Sequence, residues 1–305
     1  MKASVLITTR NRKDELAKAV TSALAQTACP EVIVVDDGST DGTTAMVKER
    51  FPGVVLHRVV LSQGYIVQRN RGVGMATAPI IFSVDDDAIF SSPTIVADVL
   101  NEFDNPRIGA VAIPFVDVNR DPNLVRQRAP DDEKCHICPS FIGTAHALRK
   151  DIFQRLGGYR ESLFHQGEEG DYCLRMLAAG YVVRLGNSDV IHHFESPRRD
   201  FRRMDIYGRR NNILFAWHHV PLRLLPLYLA ATTWNGLRHG MRVGRTAIMV
   251  NGLIRGYGAM WKERHQRLPV DVSVFKLYRE LVRRNIVPLS EVEQRLPSAL
   301  PLEPA

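Results

Sequence analysis

The sequence predicts an α/β protein, with a Rossmann-like, mostly parallel sheet covered by helices and followed by a helical extension. The first observation is a set of short runs rich in β-branched residues, typical of buried strands, at residues 4–8, 32–36, 54–59 and 80–84. The second is that helical patterns separate these runs, and strand–helix–strand alternation favours parallel pairing. The third is that the pattern from about residue 198 onward is helical, with apolar residues alternating with arginines.

The elements follow in order along the chain. The helices between the first strands are predicted at residues 14–25, 43–51 and 65–76. A second zone, residues 108–190, mixes both kinds of element, with strands at 108–113, 141–148 and 182–185 and helices at 150–156 and 169–179. Within this zone, residues 118–139 are polar and interrupted by prolines, which predicts a loop over a site.

Length and composition are those of an ordinary globular protein. The chain has 305 residues, of which 45% are hydrophobic and 24% charged, enough for one large domain and an extension. Its four cysteines are too few for a disulfide framework, and no signal-peptide pattern precedes the strand that begins at Ser4. We therefore expect a reducing, cytoplasmic compartment.

Positive charge is concentrated in the C-terminal third. Residues 198–295 hold 19 Lys and Arg against 7 Asp and Glu, whereas residues 1–197 hold 21 against 25. This balance fits anionic lipid, an acidic substrate or nucleic acid, but equally a solvated helical surface. No interleaved aromatic stacking motif accompanies the arginines, so we expect no nucleic acid partner.

The same region raises the question of a membrane. Its longest uncharged run, residues 224–237, has 14 residues, fewer than the about 20 apolar residues that span a bilayer. Trp217, Trp234 and Trp261 lie among arginines, a mixture that fits a surface facing anionic lipid or a lipid-linked acceptor. A peripheral position on the inner face of the cell membrane is therefore one hypothesis, and a helical bundle packed on the preceding domain is the other.

Polar residues follow three of the predicted strands. They are the runs at 8–12, 36–42 and 85–87, and ligands of open parallel sheets bind beyond the carboxyl ends of strands. Three adjacent carboxylates, Asp85 to Asp87, repel one another unless a cation offsets their charge. In extended backbone Asp85 and Asp87 point to the same side, and such oxygen ligands suit Mg²⁺ or Mn²⁺ shared with phosphate.

Four segments in sequence order establish a resemblance. They are TTRNR, VIVVDDGSTDGT, QRNRGVGMATAPIIFSVDDD and GEEGDYCLRMLAAGY. With them the chain resembles a family 2 glycosyltransferase of the GT-A fold, from Ser4 to about Pro221. The resemblance implies a metal-dependent transfer of a hexosyl or deoxyhexosyl group with inversion of configuration. The donor would be a nucleoside-diphosphate sugar, and the acceptor would be the hydroxyl of a sugar or lipid-linked sugar. The process would be the synthesis of cell-surface polysaccharide or glycolipid. The resemblance also implies a catalytic domain at residues 1–220 and a basic helical extension at 221–305.

The resemblance implies roles for the donor-binding residues. Thr8, Arg10 and Asp37 match positions that hold the nucleoside base and ribose. Arg69 and Asn70 match an Arg-Asn pair of the site, in which the guanidinium group neutralises diphosphate charge.

The metal site is implied in the same way. Asp85 and Asp87 match the Asp-x-Asp pair that binds Mn²⁺ or Mg²⁺, with Asp86 nearer the ribose. Similar proteins complete the site with a histidine, for which His192 fits by its position in the run 189–193.

The segment at 167–171 matches the catalytic end of the family's site. Glu169 stands where the catalytic base stands, and Glu168 precedes it as an acceptor or diphosphate contact. Acidic residues also favour a helix N-terminus, which is the interpretation for Asp171, four residues before Arg175.

Later in the chain, Arg209 and Asn211 match a second Arg-Asn element that contacts the diphosphate or the acceptor. Two other functions are possible for a sheet that binds nucleotides, a sugar nucleotidyltransferase and a nucleotide-sugar-binding protein without catalysis. A sugar nucleotidyltransferase would carry a glycine-rich, lysine-bearing loop after the first strand, and a protein that only binds nucleotide-sugars would not need Glu169. A zinc site at Cys135 and Cys138 is disfavoured because a structural site needs four ligands.

Overall fold

The computed structural model describes residues 1–195 and 200–299. The strands in these ranges are β1 (Ala3–Thr9), β2 (Glu31–Asp36), β3 (Val55–Arg58), β4 (Ile80–Asp85), β5 (Ala88–Phe90), β6 (Ile108–Ala112), β7 (Phe115–Asp117), β8 (Asp121–Arg126), β9 (His136–Cys138), β10 (Ala145–Arg149), β11 (Val182–Leu185), β12 (Ile191–His193) and β13 (Val287–Pro288). The helices are α1 (Lys13–Leu24), α2 (Thr43–Arg50), α3 (Tyr65–Met75), α4 (Ile95–Asn101), α5 (Lys150–Arg155), α6 (Glu168–Ala178), α7 (Phe201–His219), α8 (Leu225–Arg242), α9 (Thr246–Lys262) and α10 (Val272–Arg284).

The larger sheet has the order β3-β2-β1-β4-β10-β6-β11-β9-β13. Strands β3, β2, β1 and β4 are mutually parallel. Strand β10 runs antiparallel to both of its neighbours, and β9 and β13 form an antiparallel edge. Because β2, β1 and β4 are adjacent and parallel, the polar residues that follow them meet at one edge of the sheet.

Helices cover both faces of this sheet, as predicted. Val5 and Ile7 of β1 face a core that includes α1 and α4, whereas Leu6 faces a core that includes α3 and α6. On that second face Gly72 lets α3 approach β1, since a Cβ at Gly72 would overlap the side chain of Leu6. The alternation along β1 is what a strand buried on both sides requires.

The prediction of a loop over residues 118–139 is wrong in part. The segment contains β8 and β9, and β8 joins a small sheet of order β5-β12-β7-β8. Strand β8 is an exposed edge strand that pairs with β7 alone, so it lacks the apolar alternation by which strands are recognised.

The segment after residue 220 packs on the rest of the chain. Helix α9 lies along α7, and β13 pairs with β9 at the edge of the larger sheet. Leu174 and Leu177 of α6 share one buried cluster with Phe275, Leu277 and Leu281 of α10. The predicted boundary near residue 220 therefore falls inside a shared core, and it stays a prediction about where the resemblance ends.

Within the described ranges, none of the helices combines the length with the apolar content that crossing a membrane requires.

Candidate active site

A cleft of about 610 Å³ opens where the carboxyl ends of β1, β2 and β4 meet. The starts of α3, α6 and α7 supply its other walls. This is the edge at which open α/β sheets bind ligands. Of the residues predicted from the sequence, the wall includes Thr8, Arg10, Asp37, Arg69, Asp85, Asp86, Asp87 and Glu169.

Asp37, just after β2, forms one end of the cleft. Its carboxylate accepts hydrogen bonds from Ser62 Oγ (2.5 Å), Gln68 Nε2 (2.6 Å) and the backbone N–H groups of Gln63 (2.8 Å) and Gly64 (3.0 Å). Burial alone would raise the pKa of Asp37, but these donors lower it below its usual value. The carboxylate is therefore a fixed anion that holds residues 62–64 in place.

Thr8 and Arg10 lie close to this end. Thr8 is the neighbour of Asp85 in the pairing of β1 with β4. Arg10 is exposed, and its Nη1 donates to Ser62 Oγ at 3.1 Å.

Asp85, Asp87 and His193 form a group that could hold a metal ion. One ligand atom from each residue lies within 4.8 Å of the others. His193 Nε2 is 3.2 Å from Asp87 Oδ1 and 4.0 Å from Asp85 Oδ2. Carboxylate oxygens are ligands that Mn²⁺ and Mg²⁺ prefer, and imidazole is a common metal ligand. The donor set therefore fits a divalent cation.

The structure places His193, not His192, beside the aspartates, which corrects the sequence prediction. Both residues lie on β12, where successive side chains point to opposite sides. Strand β12 is held between β5 and β7, and this pairing turns His193 towards Asp87. The three-residue strand is too short for its phase to be evident from the sequence, and a shift by one residue reverses every side chain.

Asp117, which was not predicted, fixes the orientation of His193. It ends β7 and pairs with His193 across the small sheet. Its Oδ1 is 2.5 Å from His193 Nδ1, and its Oδ2 is 3.1 Å from Arg126 Nε. Burial alone would lower the pKa of His193, but the contacts with Asp87 and Asp117 raise it to about 9. A carboxylate behind a metal-facing imidazole is the usual way to fix such a ligand.

Arg12 is a second residue of the site that was not predicted from the sequence. Its Nη1 contacts Asp87 Oδ2 and lies 3.2 Å from Asp86 Oδ1, while Thr9 Oγ1 donates to Asp86 at 2.8 Å. Burial raises the pKa of Asp86 to about 7 despite the nearby guanidinium group. Asn11 has a φ of 54°, which interrupts the extended backbone between Arg10 and Arg12, and the two arginines contact different partners.

Arg69 lies in the floor of the cleft and is almost fully buried. Its Nη2 donates to Asp85 Oδ1 at 2.7 Å and to the carbonyl of Gly143 at 3.0 Å. Its Nη1 is 3.5 Å from Glu168 Oε1, and the guanidinium carbon lies 5.0 Å from the centre of the Tyr65 ring. Arg69 thus connects Asp85 with the start of α6.

Glu168 and Glu169 begin α6 but have different surroundings. Glu169 lines the cleft, whereas Glu168 is fully buried and accepts a hydrogen bond from Tyr65 Oη at 3.2 Å. Burial raises the pKa of both carboxyl groups, that of Glu168 to about 8. Of the two, Glu169 is the carboxylate that a ligand in the cleft could reach.

Asn70, Arg209 and Asn211 are not in the cleft wall. The Asn70 amide bonds to the backbone of Tyr159. Arg209 is half-buried, and it packs against Gly236 and Gly252 of the C-terminal helices. These contacts indicate structural positions.

Asn211 supports one wall of the cleft from behind. Its Nδ2 lies within hydrogen-bond distance of the carbonyls of Leu163 (2.9 Å), His165 (2.9 Å) and Gln166 (2.7 Å), which share its two N–H donors. Phe164 and Gln166 have φ of 59° and 66°, a conformation that costs free energy for residues with a side chain and often occurs at functional sites. Asn211 therefore offsets strain in a loop that supplies His165 and Gln166 to the cleft.

The first turn of α7 also lines the cleft and was not predicted. Asp200 caps the helix by accepting from the backbone N–H of Arg203 at 2.9 Å. Arg203 and Met204 then face the cleft. The basic composition after residue 198 was the signal for this turn, but composition does not show which arginine faces a site.

The model of the glycosyl transferase family 2 matches residues 4–157 of this chain. The pre-mycofactocin glycosyltransferase of Mycobacterium tuberculosis is 27% identical over 277 residues, which cover 83% of this chain and 56% of that protein. The chain therefore spans about half the length of this relative.

Two solved structures share the fold. The mannosyltransferase PcManGT from Pyrobaculum calidifontis, in complex with GDP-Man and Mn²⁺, has a TM-score of 0.58 at 18% identity and covers 93% of this chain and 80% of its own. S. aureus TarS 1-349 in complex with UDP has a TM-score of 0.55 at 17% identity, with 87% and 92% covered. The likeness confirms the predicted GT-A fold with its C-terminal helices.

Proposed function

We propose, since this chain belongs to glycosyl transferase family 2, that it transfers a sugar from a nucleoside-diphosphate sugar to an acceptor hydroxyl with inversion. The supporting observation is that a single cleft brings together Asp37, the group of Asp85, Asp87 and His193, and Glu169. Such a transfer needs three parts, which are a group that binds the nucleotide, a group that binds a cation and a carboxylate that can accept a proton.

For the donor, we propose that Thr8, Arg10 and Asp37 hold the nucleoside and that Asp86 lies near the ribose. Arg69 is bound to Asp85, so its main contribution would be to fix that carboxylate and to offset diphosphate charge. Arg12 and Arg203 add positive charge to the same cleft. Positively charged groups already in place stabilise phosphate without further reorganisation.

We propose that Asp85, Asp87 and His193 hold Mn²⁺ or Mg²⁺. When bound, the cation would offset the charge that develops on the departing nucleoside diphosphate. Asp117 would keep the Nε2 atom of His193 directed at the site, because its carboxylate engages the other ring nitrogen.

Glu169 would be the catalytic base. It would accept the proton of the acceptor hydroxyl while the oxygen attacks the anomeric carbon from the face opposite the diphosphate. The bond to the diphosphate oxygen breaks as the new glycosidic bond forms, which inverts the configuration. Burial raises the pKa of Glu169, which makes its carboxylate a better proton acceptor than an exposed one.

The acceptor would be a sugar or lipid-linked sugar, and the process would be cell-surface polysaccharide or glycolipid synthesis in the cytoplasm. A peripheral position at the inner face of the membrane would suit a lipid-linked acceptor. Glu168, Asn70, Arg209 and Asn211 would support the site through their buried contacts.

The proposal is tested with a panel of nucleoside-diphosphate sugars, with released nucleoside diphosphate as the measurement. We expect release with a subset of donors, loss of release in EDTA and recovery with Mn²⁺ or Mg²⁺. Donor binding without release in the presence of membrane-derived acceptors would favour a binding protein. Release of pyrophosphate from a nucleoside triphosphate and a sugar phosphate would favour a nucleotidyltransferase.

A further inference from the structure

The outward sides of α8 and α9 carry large apolar side chains, and we call this surface the α8–α9 face. On α8, Leu227, Trp234 and Met241 repeat every seven residues, which places them on one side of the helix. Their exposed fractions are 77%, 59% and 57%. On α9, Ile254 and Trp261 repeat in the same way and are 67% and 69% exposed. Apolar surface of this extent on one side of a protein usually marks an interaction site.

The two helices lie against each other, so their outward sides form one surface. A Cβ at Gly240 would lie 2.9 Å from Met249 Cγ, which means that a side chain there would keep the helices apart. Between them, Thr233 Oγ1 and Tyr257 Oη are 2.8 Å from each other. On its other side α9 packs on α7, which leaves the α8–α9 face directed away from the catalytic domain.

The charge of this region has one sign. Between Asp205 and Glu263 the sequence has seven arginines and one lysine but no acidic residue, and Arg238, Arg242 and Arg255 are exposed. A solvated helical surface normally mixes both signs. Arginines around exposed tryptophans complement anionic lipid headgroups, whereas a second copy of this chain would bring like charges together.

The α8–α9 face ends beside the mouth of the cleft. Arg245, in the turn between the two helices, forms an ion pair with Asp205 at 3.1 Å and lies over the ring of Phe201 at 5.4 Å. Phe201 is 55% exposed and belongs to the same first turn of α7 that lines the cleft with Arg203. A surface bound by α8 and α9 would therefore lie next to the opening.

We propose that the α8–α9 face docks on an anionic lipid bilayer, with Trp234 and Trp261 at the level of the headgroups, and that this presents a lipid-borne acceptor to the cleft. Tryptophan favours this interfacial level because its ring is apolar and its N–H is polar. The lipid-borne acceptor rests on the proposed function, whereas the docking rests on the surface alone.

The test uses the full chain with vesicles of phosphatidylcholine, alone or mixed with phosphatidylglycerol, and measures sedimentation and tryptophan fluorescence. Binding is expected with the mixed vesicles at low salt, with emission shifted to shorter wavelength, and release at high salt because the charges are then screened. Arg242→Glu should lower the partition coefficient at least about fivefold, the contribution of one basic residue near an anionic surface. Replacing Trp234 and Trp261 together by Ser should remove both binding and shift.

Two control variants have exposed side chains elsewhere. Arg283→Glu on α10 changes the net charge equally, and Leu124→Ser on β8 removes an exposed apolar group, so both should bind like wild type. Equal binding to neutral vesicles, no binding to either, or equal losses in the controls would overturn the proposal. So would a dimer in sedimentation velocity that the tryptophan variant dissociates, because the face would then belong to a second copy. Nucleoside diphosphate release without vesicles reports the proposed transfer separately.

Discussion

Glu168 and Glu169 differ in what surrounds them, and this gives a test of the proposed base. Glu169→Gln keeps the shape of the side chain and removes its basicity, so kcat should fall by ~10²–10⁴-fold. Donor binding should persist because Asp37 and Arg69 are untouched. Since burial raises the pKa of Glu169, the wild-type rate should rise with pH through a pKa above the usual value for Glu of about 4.3. Pre-steady-state rates and donor titrations measure both effects.

Two further variants act as controls for this assignment. Glu169→Asp shortens the reach by one methylene but keeps a base, so it should be well above the Gln variant in activity. Glu168→Gln alters a buried group outside the cleft and should affect stability more than chemistry. If Glu168→Gln is inactive and Glu169→Gln has wild-type activity, the base is Glu168 and not Glu169.

Gly143 leaves space for the side chains of Glu169 and Arg69. A Cβ there would overlap Glu169 Oε1 and would lie 2.9 Å from Arg69 Nη1. Both atoms end flexible side chains that can move, so Gly143→Ala should leave the melting temperature nearly unchanged. If Glu169 is the base, its displacement should nevertheless lower kcat, on the order of 10²-fold for a shift of about 1 Å. Calorimetry and turnover measurements together separate these effects.

The control is Gly74→Ala, at an exposed glycine of α3 whose Cβ would meet nothing within 4 Å. Alanine favours the helix there by up to about 1 kcal/mol, and the rate should not change. Equal losses of activity in the two variants would mean that Gly143 has no special role.

Part of this site could be predicted from the sequence, Asp85 and Asp87 from their charge and spacing and Asp37 and Glu169 through the family resemblance. Asp37, Asp85, Asp87 and Glu169 follow strands or start a helix within recognisable motifs, and all four line the cleft. Arg12, Asp117 and His193 could not be identified because their positions depend on geometry with no sequence signal. The position of Arg12 depends on the positive φ of Asn11, and that of His193 depends on the pairing of β12.

At the scale of elements, the start of α6 depends on Asp171, which is buried. Its carboxylate bonds to His219 Nε2 (2.7 Å), Arg175 Nη2 (2.7 Å) and Arg160 Nε (3.1 Å), which confirms the predicted pairing with Arg175. Burial alone would raise the pKa of Asp171, but these partners hold it far below its usual value. The residue therefore ties α6 to α7 and to the preceding turn.

Asp171→Asn should lower the free energy of unfolding by about 3–5 kcal/mol near neutral pH, because it leaves buried cations without their anion. The pKa of Asp171 is lower in the folded state than its value of about 3.9 in the unfolded state. The stabilisation by its carboxylate is therefore complete above about pH 3.9 and is lost as the pH falls below this value. The difference between variant and wild type should accordingly shrink in acid. Urea titrations at several pH values measure it.

Asp151→Asn on α5 is the matched control, since Asp151 and Arg155 have the same spacing of four residues at 3.4 Å but are partly exposed. Its effect should stay below about 1 kcal/mol. Similar losses in the free energy of unfolding at both positions would show that burial does not strengthen the ion pairs of Asp171.

For the whole molecule, the shared core of α6 and α10 predicts that residues 1–220 are less stable alone than within the full chain. Removing the rest exposes Leu174 and Leu177, and each large apolar side chain contributes about 1.5–3 kcal/mol when buried. We expect the fragment to aggregate or to melt at a lower temperature than the full chain in circular dichroism. A fragment with the melting temperature of the full chain would instead make residue 220 a true domain boundary.

The sequence patterns predicted the N-terminal half of the fold, in which strands and helices alternate, because each buried strand there is long and apolar. They did not predict that the chain returns to its own sheet near the end. Strand β13 has two residues, Val287–Pro288, and no periodicity can be detected over that length.

The late pairing of β13 with β9 affects how the chain folds during its synthesis. Strand β9 is synthesised about 150 residues before β13, its edge partner, and a ribosome adds roughly 5–20 residues per second. For several seconds each nascent chain therefore carries an open sheet edge, to which the strands of another chain can bind. On a crowded polysome, neighbouring chains would be exposed to one another in this state, so holding by a chaperone until release from the ribosome would favour the correct closure.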